Sequence, residues 1–148
     1  MSSAIVPAVA QDLPRLEPLL RAFYEEVGFA FDPDVRLALS RVLGDPSLGR
    51  VLLLAEGNDL CGYVALCFGF SLELRGRDAC VDELYVKPSA RGRGFGRALL
   101  AAALDEARAQ GARVAYLEAA GASPRARDFY LSSGFEERPY PLLMKPLR

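Results

Sequence analysis

The sequence predicts an α/β (α+β) fold in a single domain, residues 1–148, built on a mixed and mostly antiparallel sheet. Three observations indicate this class. The chain has 148 residues, 51% of them hydrophobic, which suits one buried core. Apolar runs on both sides of Gly57-Asn58-Asp59 are typical of an antiparallel hairpin. Further along, a strand-like run, a glycine-rich turn, a helix-like run and a second strand-like run indicate a parallel crossover.

Two helices are predicted after a short N-terminal strand, 4–9. Leucines recur at helical spacing between Asp12, a predicted cap, and Gly28. Asp32 and Pro33 begin the second helix in the same way. Acidic residues crowd this region and form either a solvated helical face with a cap, or a pocket wall that attracts a cationic amine. They are Glu25, Glu26, Asp32 and Asp34.

The remaining elements bring the prediction to about seven strands and about four helices. Runs 51–56 and 60–70 form a hairpin, and a polar turn at 73–78 leads to a third strand that ends at Val86. A crossover helix, 94–110, connects this strand to a parallel strand by the usual right-handed path. A fourth helix, beginning at Ser123-Pro124 and ending at Gly134, comes next. The last predicted ranges are 113–118 for the parallel strand, and 136–138 and 142–147 for two closing strands.

The glycine-rich turn is the stretch most suited to binding a ligand. Arg91-Gly92-Arg93-Gly94-Phe95-Gly96 lies between a strand that Pro88 ends and an alanine- and leucine-rich helix. Glycine allows backbone N–H groups to approach a ligand closely, and the first N–H groups of a helix lack partners within it. The helix dipole and the arginines add positive charge, so we expect an anion here.

The composition argues against several classes of function. Net charge is −1 with both signs interspersed, without the basic patch that nucleic-acid binding requires. The absence of histidine removes the commonest metal ligand and the usual acid–base residue. The three cysteines lack metal-site spacing, and no run reaches the roughly eighteen apolar residues of a membrane span. We therefore expect a cytoplasmic protein with no metal, nucleic-acid or membrane partner.

Two motifs resemble the signatures of the GNAT superfamily of N-acetyltransferases. The turn 91–96, preceded by Val86-Lys87-Pro88, is similar to the family's R/Q-x-x-G-x-G/A loop. The run 123–135 is similar to N-x-x-A-x-x-F/Y-Y-x-x-x-G-F, with Ser123 where asparagine is usual. The order of elements also resembles the family, and 68–86 is weakly similar to its polyamine and diamine members.

The resemblance implies acetyl-CoA as the co-substrate, bound where the parallel pair of strands splays apart. The glycine turn would wrap the pyrophosphate, and the backbone of the splayed strand would bind the pantetheine arm and the thioester carbonyl. Homodimers are common in the family, so a homodimer is one expectation. The implied binding residues are Leu84, Tyr85, Val86, Arg91, Gly92, Arg93, Gly94, Phe95, Gly96, Arg97 and Ser123.

Acetyl transfer to an amine also needs two proton transfers. An alkylamine of pKa near 10.4 is uncharged in only about one molecule in two thousand at neutral pH, so a carboxylate or an ordered water must take its proton. Glu83 is the first candidate and Asp82 the second, and a bulge of the kind the family has here prevents a choice by strand parity. The resemblance implies that Tyr130, four residues before Gly134, protonates the departing thiolate.

The sequence therefore predicts an acetyl-CoA-dependent N-acetyltransferase acting on a primary amine of a small cationic substrate. The resemblance and the acidic residues suggest a polyamine-, diamine- or aminoglycoside-like acceptor. A protein N-terminus or a lysine is an alternative acceptor. Two alternatives of other kinds are a non-catalytic acyl-CoA sensor and a phosphate-binding module for another nucleotide. Thiol release with a panel of amines separates the enzyme from the sensor.

Overall fold

The computed structural model describes residues 2–119 and 124–148, with one mixed sheet covered by helices on both faces. The strand order is β1-β2-β3-β4-β5; the first four are antiparallel neighbours, and β4 and β5 are parallel. The mixed sheet and the four helices confirm the predicted class. The elements are β1 (Ser3–Pro7), α1 (Leu13–Val27), α2 (Pro33–Gly44), β2 (Gly49–Glu56), β3 (Asp59–Ser71), β4 (Gly76–Val86), α3 (Phe95–Ala109), β5 (Val114–Tyr116) and α4 (Pro124–Ser132).

Local sequence determines where the first two helices begin and end. Gly28 ends α1 in the left-handed conformation, with φ at 80°, which glycine adopts without a Cβ clash. The carboxylate of Asp32 accepts hydrogen bonds from the N–H groups of Asp34 and Val35 at 3.0 and 3.1 Å, so it caps α2 as predicted. In the described ranges, no helix combines the length and the apolar character needed to cross a membrane.

The sheet separates two hydrophobic cores. On one face, Leu66 and Val81 pack with Leu99 and Ala103 of α3. On the other, Tyr63 of β3 and Val51 and Leu53 of β2 pack against α1 and α2. The side chains of β2, β3 and β4 therefore alternate between the two cores, and the face a side chain occupies decides which helices it meets.

The prediction of about seven strands is wrong, because the sheet has five strands over residues 2–119 and 124–148. The predicted closing strands 136–138 and 142–147 have no strand structure, and Leu143 and Met144 are 89% and 87% exposed. Proline supplies no N–H group to a ladder. Pro139, Pro141 and Pro146 fall within this short segment, so the apolar run that suggested a strand lacks regular backbone donors.

Candidate active site

The parallel strands β4 and β5 lie side by side over a short distance only. Residues 78–80 pair with Val114–Tyr116, while β4 continues to Val86. Beyond the paired residues, a cavity of about 790 Å³ is lined by the end of β4 and, on another side, by Glu118 and Ala119. We call it the first cavity. Backbone groups on an unpaired sheet edge are available to bind an extended ligand.

The glycine turn and the start of α3 line the same cavity. Gly92 and Gly94 have φ angles of 79° and 80°, and a Cβ built at either would have no heavy atom within 4 Å. The first hydrogen bond of α3 runs from the Ala98 N–H to the Gly94 carbonyl at 3.1 Å. The N–H groups at positions 95–97 therefore have no carbonyl partner within the helix. They form an electropositive helix end beside open space, as anion binding requires.

The three arginines of the turn differ in where they point. Arg91 and Arg97 line the first cavity, and Arg93 is absent from its lining. Arg91 donates through Nε to the Val86 carbonyl at 2.8 Å and pairs with Glu26. Arg97 donates to the Ser132 hydroxyl at 3.1 Å. Both Arg93 amino groups bond the Glu56 carboxylate, at 2.7 and 2.6 Å. The role of Arg93 in cofactor binding stays a prediction.

A β-bulge at Asp82 interrupts the ladder between β3 and β4. Leu66 lies opposite Val81 and Ala65 lies opposite Glu83, so Asp82 has no partner in the ladder. One extra residue on one strand is the defining feature of a bulge, and it shifts the alternation of all later side chains.

The bulge moves Glu83 to the face of the sheet that α1 and α2 cover. Val81 packs beneath α3 before the bulge, and Leu84 packs there after it. Strict alternation from Val81 would have put Glu83 in that apolar core. Instead Glu83 shares the opposite face with Tyr63.

Two phenols hold the Glu83 carboxylate. Tyr24 of α1 donates to Oε2 at 2.5 Å, and Tyr63 of β3 donates to Oε1 at 2.7 Å. Burial raises the pKa of Glu83, the two phenol bonds oppose that rise, and the charge of Asp82 adds to it. The net pKa lies above that of an ordinary glutamate, so the carboxylate is a stronger base than an exposed one.

A second cavity, of about 450 Å³, lies between α2 and the sheet. It shares Tyr24, Asp82 and Glu83 with the lining of the first cavity, so these residues stand where the two meet. Asp32 and Asp34 also line the second cavity, in addition to the capping role of Asp32. Burial raises the pKa of Asp82 as well. In the parts of the chain that the structure describes, no group of three or more cysteine and acidic side chains is arranged to hold a metal ion.

Tyr130 of α4 lines the first cavity together with Glu83. Its ring packs edge-on against Phe129 and Phe135, at centroid distances of 5.1 and 5.8 Å. Burial raises the pKa of the phenol, which therefore keeps its proton at neutral pH. The side chain is thus a proton donor on a wall of the cavity.

The structure brings most of the predicted site residues to one cavity. Glu83, Tyr130 and nine of the predicted binding residues line it; Arg93 does not, and Ser123 lies outside the described residues. Sequence reasoning missed Tyr24 and Tyr63. The available signal was slight: each is a tyrosine, whose hydroxyl can donate to a carboxylate, within a predicted helix for Tyr24 and a predicted strand for Tyr63. The nine are Leu84, Tyr85, Val86, Arg91, Gly92, Gly94, Phe95, Gly96 and Arg97.

Comparison with protein families identifies the chain. The model of the Acetyltransferase (GNAT) family matches residues 13–135, well over half of the sequence. The chain belongs to the GNAT family. It is therefore an N-acetyltransferase, and acetyl-CoA is the acyl donor that this family uses. The matched range includes β4, the glycine turn and the whole of the motif 123–135.

Individual relatives agree with this assignment. The acetyltransferase is 28% identical to the uncharacterized N-acetyltransferase YhfO of Bacillus subtilis, over 88% of this chain and 87% of that one. It is 36% identical to the integron cassette protein HFX_CASS3 from a Cole Harbour salt marsh metagenome, with a TM-score of 0.86 over 97% of this chain and 90% of that one. A predicted acetyltransferase of Clostridium acetobutylicum, solved with acetyl-CoA, shares the fold at 20% identity, with a TM-score of 0.81 over 97% and 96% of the two chains.

Proposed function

We propose that this GNAT enzyme transfers an acetyl group from acetyl-CoA directly to the primary amine of a small cationic substrate. One observation carries the proposal. A single cavity joins the start of α3, the unpaired end of β4, a partly buried carboxylate and a protonated phenol. Glu83 is the base and Tyr130 the acid in this proposal.

The residues around the first cavity fit the diphosphate and pantetheine parts of acetyl-CoA. The N–H groups at 95–97 and the side chains of Arg91 and Arg97 supply donors for phosphate oxygens. Gly92 and Gly94 leave open space beside these donors. The free edge of β4 supplies backbone groups for the amide-containing arm. We infer that acetyl-CoA bound along these groups places its thioester next to Glu83.

The chain's residues account for both proton transfers. Acetyl-CoA supplies a thioester whose carbonyl carbon forms a bond to the amine nitrogen as its bond to sulfur breaks. Glu83 accepts the proton that the amine loses, and its raised pKa favours that step. Tyr130 donates a proton to the departing sulfur and regains one from solvent. The products are an amide and a free thiol.

The charge beside Glu83 supports a cationic acceptor. Asp82 lies at the junction of the two cavities, and Asp32 and Asp34 line the second one. Arg91 lines the first cavity on the side of the glycine turn and is paired with Glu26. A carboxylate cluster stabilises an ammonium group as it approaches, and Glu83 then removes its proton.

The test is thiol release from acetyl-CoA with a panel of primary amines, including diamines and an aminoglycoside. We expect amine-dependent release by the wild type, and a loss of about 10²- to 10⁴-fold in kcat for Glu83→Gln. Asp105→Asn, at an exposed carboxylate of α3, is the control and should keep full activity. Acetyl-CoA binding without thiol release on any amine would instead favour the sensor function.

A further inference from the structure

The second cavity has charged groups at one end and an apolar wall along α2. Its charged end lies near the Tyr24 phenol, whose raised pKa reflects burial first and then the nearby charges of Glu83, Asp82 and Asp32. From there the cavity follows α2, where Val35, Leu39 and Val42 recur at helical spacing and all line it. Seven helical residues span about 10 Å, so the apolar wall is about 10 Å long.

Small side chains keep this apolar space open. Ala65 of β3 lies directly opposite Glu83 in the ladder, between Tyr63 and Cys67, and lines the second cavity. Ala38 lines it from α2 and is itself exposed. A leucine or phenylalanine at either position would project into the space beside the carboxylate.

The polar groups of this cavity are concentrated near Glu83. The phenols of Tyr24 and Tyr63 already donate to Glu83, and the Cys67 thiol is a weak donor next to Asp82. Asp32 and Asp34 also line it, at the start of α2. Farther along α2 the wall is formed by valine, leucine and alanine side chains. A second ammonium group or a ring of hydroxyls placed there would lose its water without gaining partners.

We propose that the acceptor is a primary amine on an apolar body, an alkyl or arylalkyl amine. Its amine lies at Glu83 and its body lies between α2 and the sheet. This inference rests on the proposed function and narrows its small cationic substrate to one that carries its charge at one end. The transfer forms one C–N bond and breaks one C–S bond, and Glu83 takes the amine proton.

The first test compares acceptors on the wild type at saturating acetyl-CoA. We expect kcat/KM to rise about fourfold with each methylene of an n-alkylamine series, until the chain fills the apolar wall. Diamines of equal length and an aminoglycoside should be at least tenfold poorer than the matching monoamine. Calorimetric binding of the same amines to the CoA-saturated enzyme should give the same order without turnover.

The second test fills the cavity. Ala65→Leu and Ala38→Phe should raise KM for the longest amines at least tenfold, with a small effect on ethylamine and none on the Kd of acetyl-CoA. Leu37→Phe is the matched control, because Leu37 is on the same helix, is 59% exposed and is not part of the cavity lining. Ala38 is exposed, so its variant should fold even if Ala65→Leu overpacks the sheet.

The outcomes separate this inference from the proposed function. Preference for a diamine or an aminoglycoside, or unchanged chain-length dependence in both filled variants, overturns the inference and leaves amine acetylation standing. Absence of acetyl-CoA binding overturns both. Chain-length dependence that both filled variants abolish, and that Leu37→Phe retains, supports the apolar acceptor.

Discussion

The behaviour of Glu83 is a balance between burial and two hydrogen bonds. Burial raises the pKa of the Glu83 carboxyl, because the charged form loses its water. Tyr24 and Tyr63 each bond one carboxylate oxygen, and a phenol bond stabilises the charged form. The phenols therefore act as positioning residues that also limit how far the pKa of Glu83 rises.

Tyr24→Phe should move the acid limb of the pH profile of kcat/KM to higher pH. The variant removes one bond to the carboxylate, so the pKa of Glu83 rises further and a smaller fraction is ionised at a given pH. Loss of a bond to a charged group corresponds to about tenfold lower activity at the acid end, with recovery at the alkaline end. Tyr140→Phe, at a tyrosine 73% exposed, is the control. An unshifted profile would remove the proposed link between Tyr24 and the base.

Tyr130→Phe should lower kcat about 10²-fold and leave the Kd of acetyl-CoA nearly unchanged. The phenol is the proposed proton donor, but a thiol with a pKa near 8.5 is already a fair leaving group, so its loss is not total. The phenylalanine ring at position 130 keeps the edge-on packing against Phe129 and Phe135, which preserves the wall of the first cavity. Single-turnover rates and a direct binding titration separate the two quantities. Undiminished turnover would exclude Tyr130 as the acid.

At the scale of elements, local chemistry explains which parts of the fold were predictable. The hairpin between β2 and β3 and the cap of α2 follow from turn and cap residues that act on their own neighbours. The sequence carries no such local signal for the bulge, because the unpaired residue, Asp82, and the next residue, Glu83, are both acidic. The strands predicted in 136–147 failed because the apolar pattern was counted without the missing donors of three prolines.

The candidate site, like the fold, was predictable where its residues are contiguous in sequence. The glycine turn is contiguous in sequence, so its residues reach one cavity together. The partners of Glu83 are not contiguous: Tyr24 lies 59 positions away, and Tyr63 lies 20 positions away on the next strand. The ion pair that holds Arg93 joins positions 37 apart. Such pairings depend on the register of the sheet and on helix packing, which sequence spacing does not encode.

Gly94→Asp should weaken acetyl-CoA binding about two-thousandfold. A carboxylate at the start of α3 would repel the diphosphate, and losing about three charge-assisted bonds of roughly 1.5 kcal/mol each corresponds to that factor. Gly111→Asp is a matched control, because Gly111 follows the other end of α3 with φ at 84° and similar open space. The backbone strain is then similar in both variants. A loss below tenfold for Gly94→Asp would place the diphosphate elsewhere.

At the scale of the whole molecule, the sheet brings two cavities together at one carboxylate. The separation of β4 from β5 opens the first cavity, and the bulge within β4 turns Glu83 toward the second. In the proposed mechanism the two reactants reach Glu83 from different cavities, which suits direct transfer without an acyl-enzyme. The same arrangement leaves a charged group in a desolvated place, and such sites commonly lower stability in exchange for activity.

That cost should appear as a pH dependence of stability, and replacing Glu83 isolates its share, since burial also raises the pKa of Asp82. Its pKa is raised in the folded state, so between the ordinary glutamate pKa and the raised one the folded chain binds more protons than the unfolded chain. The free energy of unfolding of the wild type should therefore fall as pH rises through this window. Glu83→Gln cannot ionise, so its stability should be flatter there and should exceed that of the wild type at the alkaline end.

Chemical unfolding of both proteins across this pH range measures the difference. The exposed-site variant Asp105→Asn should follow the wild-type curve, because Asp105 is exposed on α3 and lines neither cavity. Parallel curves for the wild type and Glu83→Gln would mean that the two phenols fully offset burial. In that case the base would be an ordinary glutamate, and its reactivity would have to come from the position of the amine rather than from a raised pKa.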